Sequence, residues 1–283
     1  MIYASTSCLK GENGFVKDVF KVLELYKKLN IQNIELGSIH NPPFDEKKLV
    51  RFQKESSTRF IVHGFFPPAK NPFMLNLGAQ DEKLLRNSIN FIKNAIEFCS
   101  TIEAGRYSFH GAYTAETDLK DNVVGKRYPY TRVFNTLVEN INAVADFASE
   151  HGVRIAVENS GYDNQVGFLL TKEQVINFFQ KLNHRNVGFL LDLGHLNLGS
   201  ELLNFNKKEF IKATQKYIFE IHCHKNDGIS DQHLNMTDPD LFKDFDKEIL
   251  KKCALTLEAT NLNPEEILEG VGVLRTVAQS LGW

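Results

Sequence analysis

The chain has 283 residues, and 33 Lys and Arg against 35 Asp and Glu leave a formal net charge of −2. Its 42% hydrophobic and 24% charged residues are ordinary globular values, which exclude a disordered, collagen-like or coiled-coil chain. The near-neutral balance gives no electrostatic argument for a nucleic-acid partner, and the length suffices for one large domain without disulfides.

Short β-rich segments alternate with longer segments of helical periodicity along the whole chain. Strands are predicted at residues 2–7, 33–36, 59–63, 106–110, 153–158, 187–192, 217–224 and 254–258. Helices are predicted at residues 15–29, 45–55, 81–100, 131–150, 171–182, 207–216, 239–251 and 264–281. Asp45 and Thr171 are expected to cap helices, and Pro264 to occupy a first helical position.

Eight strand–helix units in a chain of this length predict a single α/β domain over residues 1–283, a (β/α)8 TIM barrel. The alternative is an open doubly wound sheet. It is disfavoured because no G-x-G-x-x-G motif follows the first strand.

The cysteines and the apolar runs bear on where the protein works. Four cysteines form no C-x-x-C pair, which is typical of a reducing compartment. The first residues do not have the pattern of a signal peptide, and the apolar runs are too short to span a bilayer. We therefore expect a cytoplasmic protein without a membrane partner. The sequence leaves its oligomeric state open.

Six consecutive predicted strands end in an imidazole or a carboxylate: His63, His110, Glu158, Asp192, His224 and Glu258. The carboxyl ends of the strands of a TIM barrel converge on one rim, where active sites lie. So many charged groups in a small volume would be costly without a partner, and a divalent cation stabilises both carboxylates and neutral imidazoles. Without a thiolate pattern, this chemistry favours zinc, manganese or iron(II) over calcium.

Three residues in adjoining loops extend this set. His195 follows Asp192 in the segment Asp192-Leu-Gly-His195, where Gly194 is expected to permit a tight turn. Asp231 and His233 form an Asp-x-His pair, which on an extended segment directs both side chains to one side. Nine ligands exceed the needs of one metal, so we predict one to three divalent ions, Zn or Mn.

His222 lies two residues before His224, on the same face of the strand. That position could reach the barrel interior. We expect His222 to lie one layer deeper than the predicted ligands, as a packed histidine.

These residues resemble those of the xylose-isomerase-like TIM-barrel superfamily, which includes sugar-phosphate isomerases and epimerases and the endonuclease IV family of abasic-site nucleases. The segments that carry the resemblance are 62–64, 109–111, 156–159, 191–195, 222–228, 231–234 and 257–259. The resemblance implies a central metal site shared by the isomerases and epimerases, formed by Glu158, Asp192, His224 and Glu258. It also implies the additional ligands of the trinuclear zinc site of the nucleases, here His63, His110, His195, Asp231 and His233.

The local sequence departs from the nucleases at several of these segments. Leu193 and Gly194 stand where the nucleases typically have Thr-Cys. The stretch after His224 reads Lys-Asn-Asp-Gly, and the loop after the Asp-x-His pair is not glycine-rich. These departures favour the sugar isomerases and epimerases.

The first functional hypothesis is a metal-dependent isomerase or epimerase of a sugar or sugar phosphate, acting through an enediolate. Glu158 and Glu258 would serve as general base and acid, and His195 would orient a hydroxyl. Three further residues are predicted to contact the substrate: Glu35, Phe65 and Lys225.

The second hypothesis is phosphodiester hydrolysis at abasic sites in DNA by a multinuclear zinc centre. The full ligand count favours it. A DNA enzyme needs basic phosphate contacts around the rim, however, whereas the loop 225–240 is net acidic. The basic-aromatic segment 126–130 is expected to be a solvated loop or an anchor for a substrate phosphate.

A third possibility is a non-catalytic metal scaffold. It would close the rim with protein ligands and leave no open coordination position. It is disfavoured because so many buried charges without a chemical task would be costly.

Overall fold

Eight parallel strands form a closed barrel in which the first strand pairs with the last. The computed structural model describes residues 1–12, 14–119, 122–161 and 166–282. The barrel strands are β1 (Ile2–Ser5), β2 (Asn33–Leu36), β3 (Arg59–His63), β4 (Arg106–His110), β5 (Arg154–Glu158), β6 (Val187–Asp192), β7 (Ile218–Cys223) and β8 (Ala254–Leu257). The predicted (β/α)8 TIM barrel is therefore confirmed.

Helices connect the strands and pack around the barrel. They are α1 (Val19–Lys28), α2 (Glu46–Ser56), α3 (Glu82–Thr101), α4 (Tyr130–Glu150), α5 (Lys172–Lys181), α6 (Leu193–Leu203), α7 (Lys207–Thr214), α8 (Lys247–Leu250) and α9 (Pro264–Ser280). Asp45 and Thr171 cap α2 and α5 as predicted, because each side chain accepts a backbone N–H of the first turn. Pro264 opens α9, also as predicted.

Two helical regions differ from the prediction, one by an additional helix and one by its extent. Helix α6 directly follows β6, where the sequence predicted only a later helix. Leucines on several sides of α6 are buried, so it lacks the polar stripe that reveals a surface helix. The predicted helix at 239–251 is a 3-10 turn, Pro239–Phe242, followed by the short α8.

Small antiparallel hairpins decorate the loops after β1 and β4. Lys10–Gly11 pairs with Gly14–Phe15, and Ala115–Thr117 pairs with Val123–Arg127. Part of the basic-aromatic segment thus belongs to an exposed strand rather than to a loop. The Tyr128 hydroxyl donates to Glu116 Oε1 at 2.6 Å.

The hydrophobic core lies between the barrel and its helices. Inside the barrel, a small separate cluster of Tyr3, Ile61 and Ala254 lies at the amino-terminal end. Polar side chains fill the space above it, including Glu35 and His222, both fully buried. Buried polar groups need partners, which directs attention to the carboxyl-terminal end. Within the described residues, no helix is long and apolar enough to cross a membrane.

Candidate metal centre

The strand register brings the predicted ligands together at the carboxyl-terminal mouth. His110 lies opposite Glu158, and Asp192 opposite His222. All nine predicted residues fall into groups of three or four, and within each group the ligand atoms lie within 4.8 Å of one another. The structure therefore assembles the whole set that strand ends and loops had indicated.

The first group joins β3, β4 and β5. Glu158 Oε2 lies 3.6 Å from His63 Nε2 and 3.4 Å from His110 Nε2. The other ring nitrogen of His63, Nδ1, lies 3.1 Å from the hydroxyl oxygen of Ser108. Glu158 Oε2 is buried without a hydrogen-bond partner, so the two imidazoles lie near this oxygen but do not satisfy it by hydrogen bonding.

The central group contains Glu158, Asp192, Glu258 and His222. His222 Nδ1 lies 2.8 Å from Glu258 Oε2 but outside hydrogen-bond geometry, and 3.9 Å from an oxygen of Glu158 and of Asp192. His222 is fully buried, as expected of a deeper layer. Its contact with the three carboxylates is a feature that the sequence analysis did not anticipate.

The other ring nitrogen of His222, Nε2, contacts Glu35. Their Nε2 and Oε2 atoms are 2.9 Å apart, and both side chains are fully buried. Glu35 therefore lies beneath the mouth, where its carboxylate orients His222 instead of facing a substrate. Glu35 does not line the cavity at the mouth, so its position does not fit the predicted substrate contact.

The third group contains His195, His224, Asp231 and His233. His195 Nδ1 donates to the Asn159 carbonyl at 2.8 Å, and His233 Nδ1 donates to the Glu258 carbonyl at 2.9 Å. The Nε2 atoms of these two rings then lie 3.2 and 3.0 Å from Asp231 Oδ2. Two ring lone pairs facing a carboxylate oxygen repel unless a proton or a cation lies between them.

His224 links the third group to the central one. Its Nε2 lies 2.9 Å from Asp192 Oδ2, and its Nδ1 is buried without a hydrogen-bond partner. The resemblance implied His224 as the imidazole of the central site. Here it groups with His195, Asp231 and His233, and His222 supplies the imidazole of the central group.

Gly194 has a different role from the one predicted. It lies in the first turn of α6, where the Asp192 carboxylate accepts the His195 backbone N–H at 2.6 Å. A Cβ at this position would lie 2.0 Å from His224 Cε1. Glycine is therefore needed for the close approach of the imidazole rather than for a turn.

The backbone conformation of the Asp-x-His pair differs from the extended segment that the sequence predicted. His233 has a φ of 46°, so it lies in the left-handed region and the segment is not extended. Its backbone carbonyl accepts the Thr260 N–H at 2.9 Å, which helps to hold that conformation. A non-glycine residue in this region is costly and is typical of functional sites.

In the third group, burial and the imidazole–carboxylate pairs shift the pKa values in opposite directions. Burial opposes charge on the His195 ring, but Asp192 and contacts with Asp231 raise its pKa well above the usual range. Burial likewise opposes charge on His233, and the hydrogen bond with Asp231 raises its pKa to about 9. Burial would raise the pKa of Asp231, yet these two rings hold it below its usual range.

The central carboxylates show the same balance. Burial would raise the pKa of Glu258, but His222 holds it well below the usual value. For Glu158, burial is outweighed first by the charge of His110, so its pKa is lowered. Ionised carboxylates beside protonated imidazoles form the proton-loaded state of a donor set, and a metal ion would replace those protons.

The donor set fits a divalent cation. Carboxylate oxygens and imidazole nitrogens converge at 2.8–3.9 Å in the central group. Ligand atoms bound at about 2.1 Å to one ion lie roughly 3.0–3.5 Å apart. Glu158 Oε2 in the central group and Asp231 Oδ1 in the third group are buried without hydrogen-bond partners, as expected of oxygens that a cation would satisfy.

Above these groups lies a cavity of about 630 Å³. Glu158, Glu258 and His195 line the cavity, and the aromatic side chains of Phe65 and Tyr113 form part of its wall. The described lining residues include no Lys or Arg. Lys225, predicted to contact substrate, donates instead to Thr237 Oγ1 at 2.8 Å and does not line the cavity.

Asn159 is a positioning residue that the sequence analysis missed. Its Oδ1 accepts the Asp192 backbone N–H at 2.8 Å, and its carbonyl accepts from His195. One residue thus orients ligands of two groups, as outer partners of metal ligands do. The signal was its position directly after Glu158 at the end of a strand.

The chain is similar to known proteins over nearly its whole length. The family model described as xylose isomerase-like TIM barrel matches residues 23–277. The uncharacterized protein MJ1614 of Methanocaldococcus jannaschii is 26% identical over 254 residues, covering 89% of each chain.

Two solved structures are similar over the full barrel. A D-tagatose 3-epimerase-like protein has a TM-score of 0.77 at 19% identity, covering 99% of this chain and 98% of its own. A D-psicose 3-epimerase from Clostridium cellulolyticum H10 has a TM-score of 0.72 at 13% identity, covering 99% of each chain. At these identities the likeness shows the fold alone.

Proposed function

The chain belongs to the xylose isomerase-like TIM-barrel family, and we propose that it is a divalent-metal-dependent sugar isomerase or epimerase. One observation carries the proposal. Glu158 and Glu258 both line a small cavity, and both belong to one group of ligating atoms within 4.8 Å. Two carboxylates beside a cation site are what reversible proton transfer next to a carbonyl requires.

The central group would hold the ion through Glu158, Asp192, Glu258 and an imidazole. A bound divalent ion polarises a carbonyl and an adjacent hydroxyl. One glutamate removes the proton from the neighbouring carbon, and the other returns a proton to the sugar. Because β5 and β8 lie on different sides of the barrel, the two carboxylates approach a substrate from different directions, as epimerisation requires.

The composition of the cavity favours a free sugar over a sugar phosphate. Its described lining residues offer hydroxyls and amides, such as those of Ser38 and Asn261, but no cationic side chain for a phosphate. Phe65 stays a predicted substrate contact through its ring. The similar solved structures, a D-tagatose 3-epimerase-like protein and a D-psicose 3-epimerase, point to ketohexoses as the first substrates to test.

Phosphodiester hydrolysis at abasic DNA sites is the second candidate, because one specific observation favours it. The candidate ligands form several groups, which is more than a single ion needs. The absence of Lys and Arg from the described cavity lining weighs against DNA, since phosphate contacts dominate such interfaces.

The test combines metal analysis with two assays on the same purified protein. We expect C3 epimerisation or aldose–ketose conversion of free ketohexoses, with deuterium from D2O entering the sugar at the exchanged carbon. An oligonucleotide containing an abasic site should remain intact. Strand incision with three bound zinc ions, and no deuterium incorporation across the sugar panel, would overturn the proposal.

A further inference from the structure

The opposite end of the barrel carries the opposite charge. Three neighbouring strands, β3, β4 and β5, each begin with an arginine: Arg59, Arg106 and Arg154. Each strand has five residues, and the first and fifth side chains of a strand face the same side. The strands that present candidate metal ligands at one end therefore present guanidinium groups at the other, about 13 Å away.

These arginines line a cavity of about 800 Å³. Three lysines join them in the lining: Lys54, Lys251 and Lys252. Among the described lining residues, Glu103 is the one carboxylate. Tyr3, Ile61 and Ala254 also line the cavity, and the same three residues form the buried cluster at the amino-terminal end of the barrel.

The positive charge is only partly compensated. Arg106 Nη1 lies 3.8 Å from Glu220 Oε2, beyond hydrogen-bond reach, and its Nε and Nη1 are buried without hydrogen-bond partners. Burial raises the pKa of Glu220, which favours its neutral form and weakens the pair further. Lys251 pairs with Glu248 at 2.7 Å.

Arg154 shows the same excess of positive charge. Its guanidinium lies 3.5 Å above the Phe219 ring, and a stacked guanidinium keeps its N–H groups available in its own plane. Burial and then the charge of Arg106 lower the pKa of Arg154, which indicates repulsion between the two cations.

We propose that this amino-terminal cavity binds a small dianion, the phosphate group of a phosphorylated metabolite, at a site separate from the candidate metal centre. Guanidinium forks match phosphate oxygens in charge and in geometry, and three of them converge here from adjacent strands. The orphaned Arg106 donors, recessed beside the buried floor, are the groups that a bound phosphate would satisfy.

The test is calorimetric titration with inorganic phosphate at constant ionic strength, without free metal in the buffer. The variants are Arg59→Gln and Arg154→Gln, whose side chains are exposed and whose loss leaves the core intact. Arg132→Gln is the matched control, because Arg132 is exposed on α4 and outside the cavity. Thermal unfolding verifies that each variant is folded.

We expect one saturable site in the wild-type protein, and binding weakened roughly tenfold or more by each cavity substitution. The control should bind as the wild type does. Phosphate held at the metal centre would survive both cavity substitutions, and this result would overturn the proposal. Equal losses in all three variants, or no saturable binding of phosphate by the wild-type protein, would overturn it as well.

Discussion

The two ends of β3, β4 and β5 carry opposite chemistry on the same strands. At the carboxyl-terminal end, imidazoles and carboxylates converge within 4.8 Å, and the described lining of the mouth has no Lys or Arg. At the amino-terminal end, arginines and lysines line a cavity with one carboxylate among its described residues. The strands are alike in length and alternation, so the difference lies only in which side chains stand at each terminus.

One barrel strand can therefore contribute side chains to two separate sites. Side chains at positions one and five share a face but lie about 13 Å apart. The proposed ligands differ accordingly, with a cation at the carboxyl-terminal end and an anion at the amino-terminal end.

The largest effect is expected from the two glutamates. Glu258→Gln and Glu158→Gln preserve shape but remove the proton-transferring carboxylate, so each should lower turnover roughly 1,000-fold or more at saturating metal. Glu269→Gln, an exposed position on α9, is the control and should keep wild-type turnover. Wild-type rates in either active-site variant would remove that glutamate from the mechanism.

Removal of the metal should have the next largest effect. A ligand at 1,000 times its Kd stabilises a protein by about 4 kcal/mol, because it binds only the folded state. Chelation followed by dialysis should therefore lower the unfolding midpoint, and readdition of Zn or Mn should restore it. Calorimetric scans with identical midpoints before and after chelation would argue against a metal centre at the mouth.

His40 should make stability depend on pH. Its Nε2 lies 2.8 Å from Thr6 Oγ1, and burial lowers its pKa to about 4, below the unfolded value of 6.5. The unfolded chain then binds more protons between these values, so stability falls as the pH falls from 6.5 to 4, by about 3 kcal/mol in total.

Denaturant unfolding of metal-free His40→Gln and metal-free wild type over this range checks the expectation. The variant should lose less stability, because glutamine does not titrate. Parallel curves for the two proteins would show that His40 does not contribute.

The smallest effect concerns the packing of His224. Gly194→Ala places a Cβ 2.0 Å from His224 Cε1, so the ring must move and metal affinity should fall roughly 10–100-fold. Gly272→Ala on α9 is the matched control, since its added Cβ meets nothing within 4 Å. Competition titration with a chromophoric chelator measures both, and equal affinities would mean that the imidazole relaxes without cost.

The fold was largely predictable because its signals are local. Apolar segments and helical periodicity identify each unit, and Asp45 and Pro264 mark helix starts through their own chemistry. Helix α6 escaped because leucines on several of its sides are buried. Periodicity cannot reveal a helix that lacks a polar face.

The convergence of the predicted ligands was also predictable, since parallel strands bring their carboxyl ends to one rim. The partners of individual side chains were not. Glu35 lies near the end of a strand and Lys225 directly follows His224, so both were predicted to contact the substrate. In the structure, Glu35 contacts His222 in the interior and Lys225 donates to Thr237. These contact partners depend on the direction of each side chain, which cannot be inferred from the spacing of residues in the sequence.

By itself, the sequence determined the barrel, the strand ends and the types of ligand they carry, because each depends on a short stretch of chain. Only the tertiary structure decided that His222 joins the central carboxylates, that His224 joins Asp231, and that arginines from three strands share one cavity. Those groupings require the closed barrel. Atoms far apart along the chain become neighbours only when register, closure and loop conformation act together.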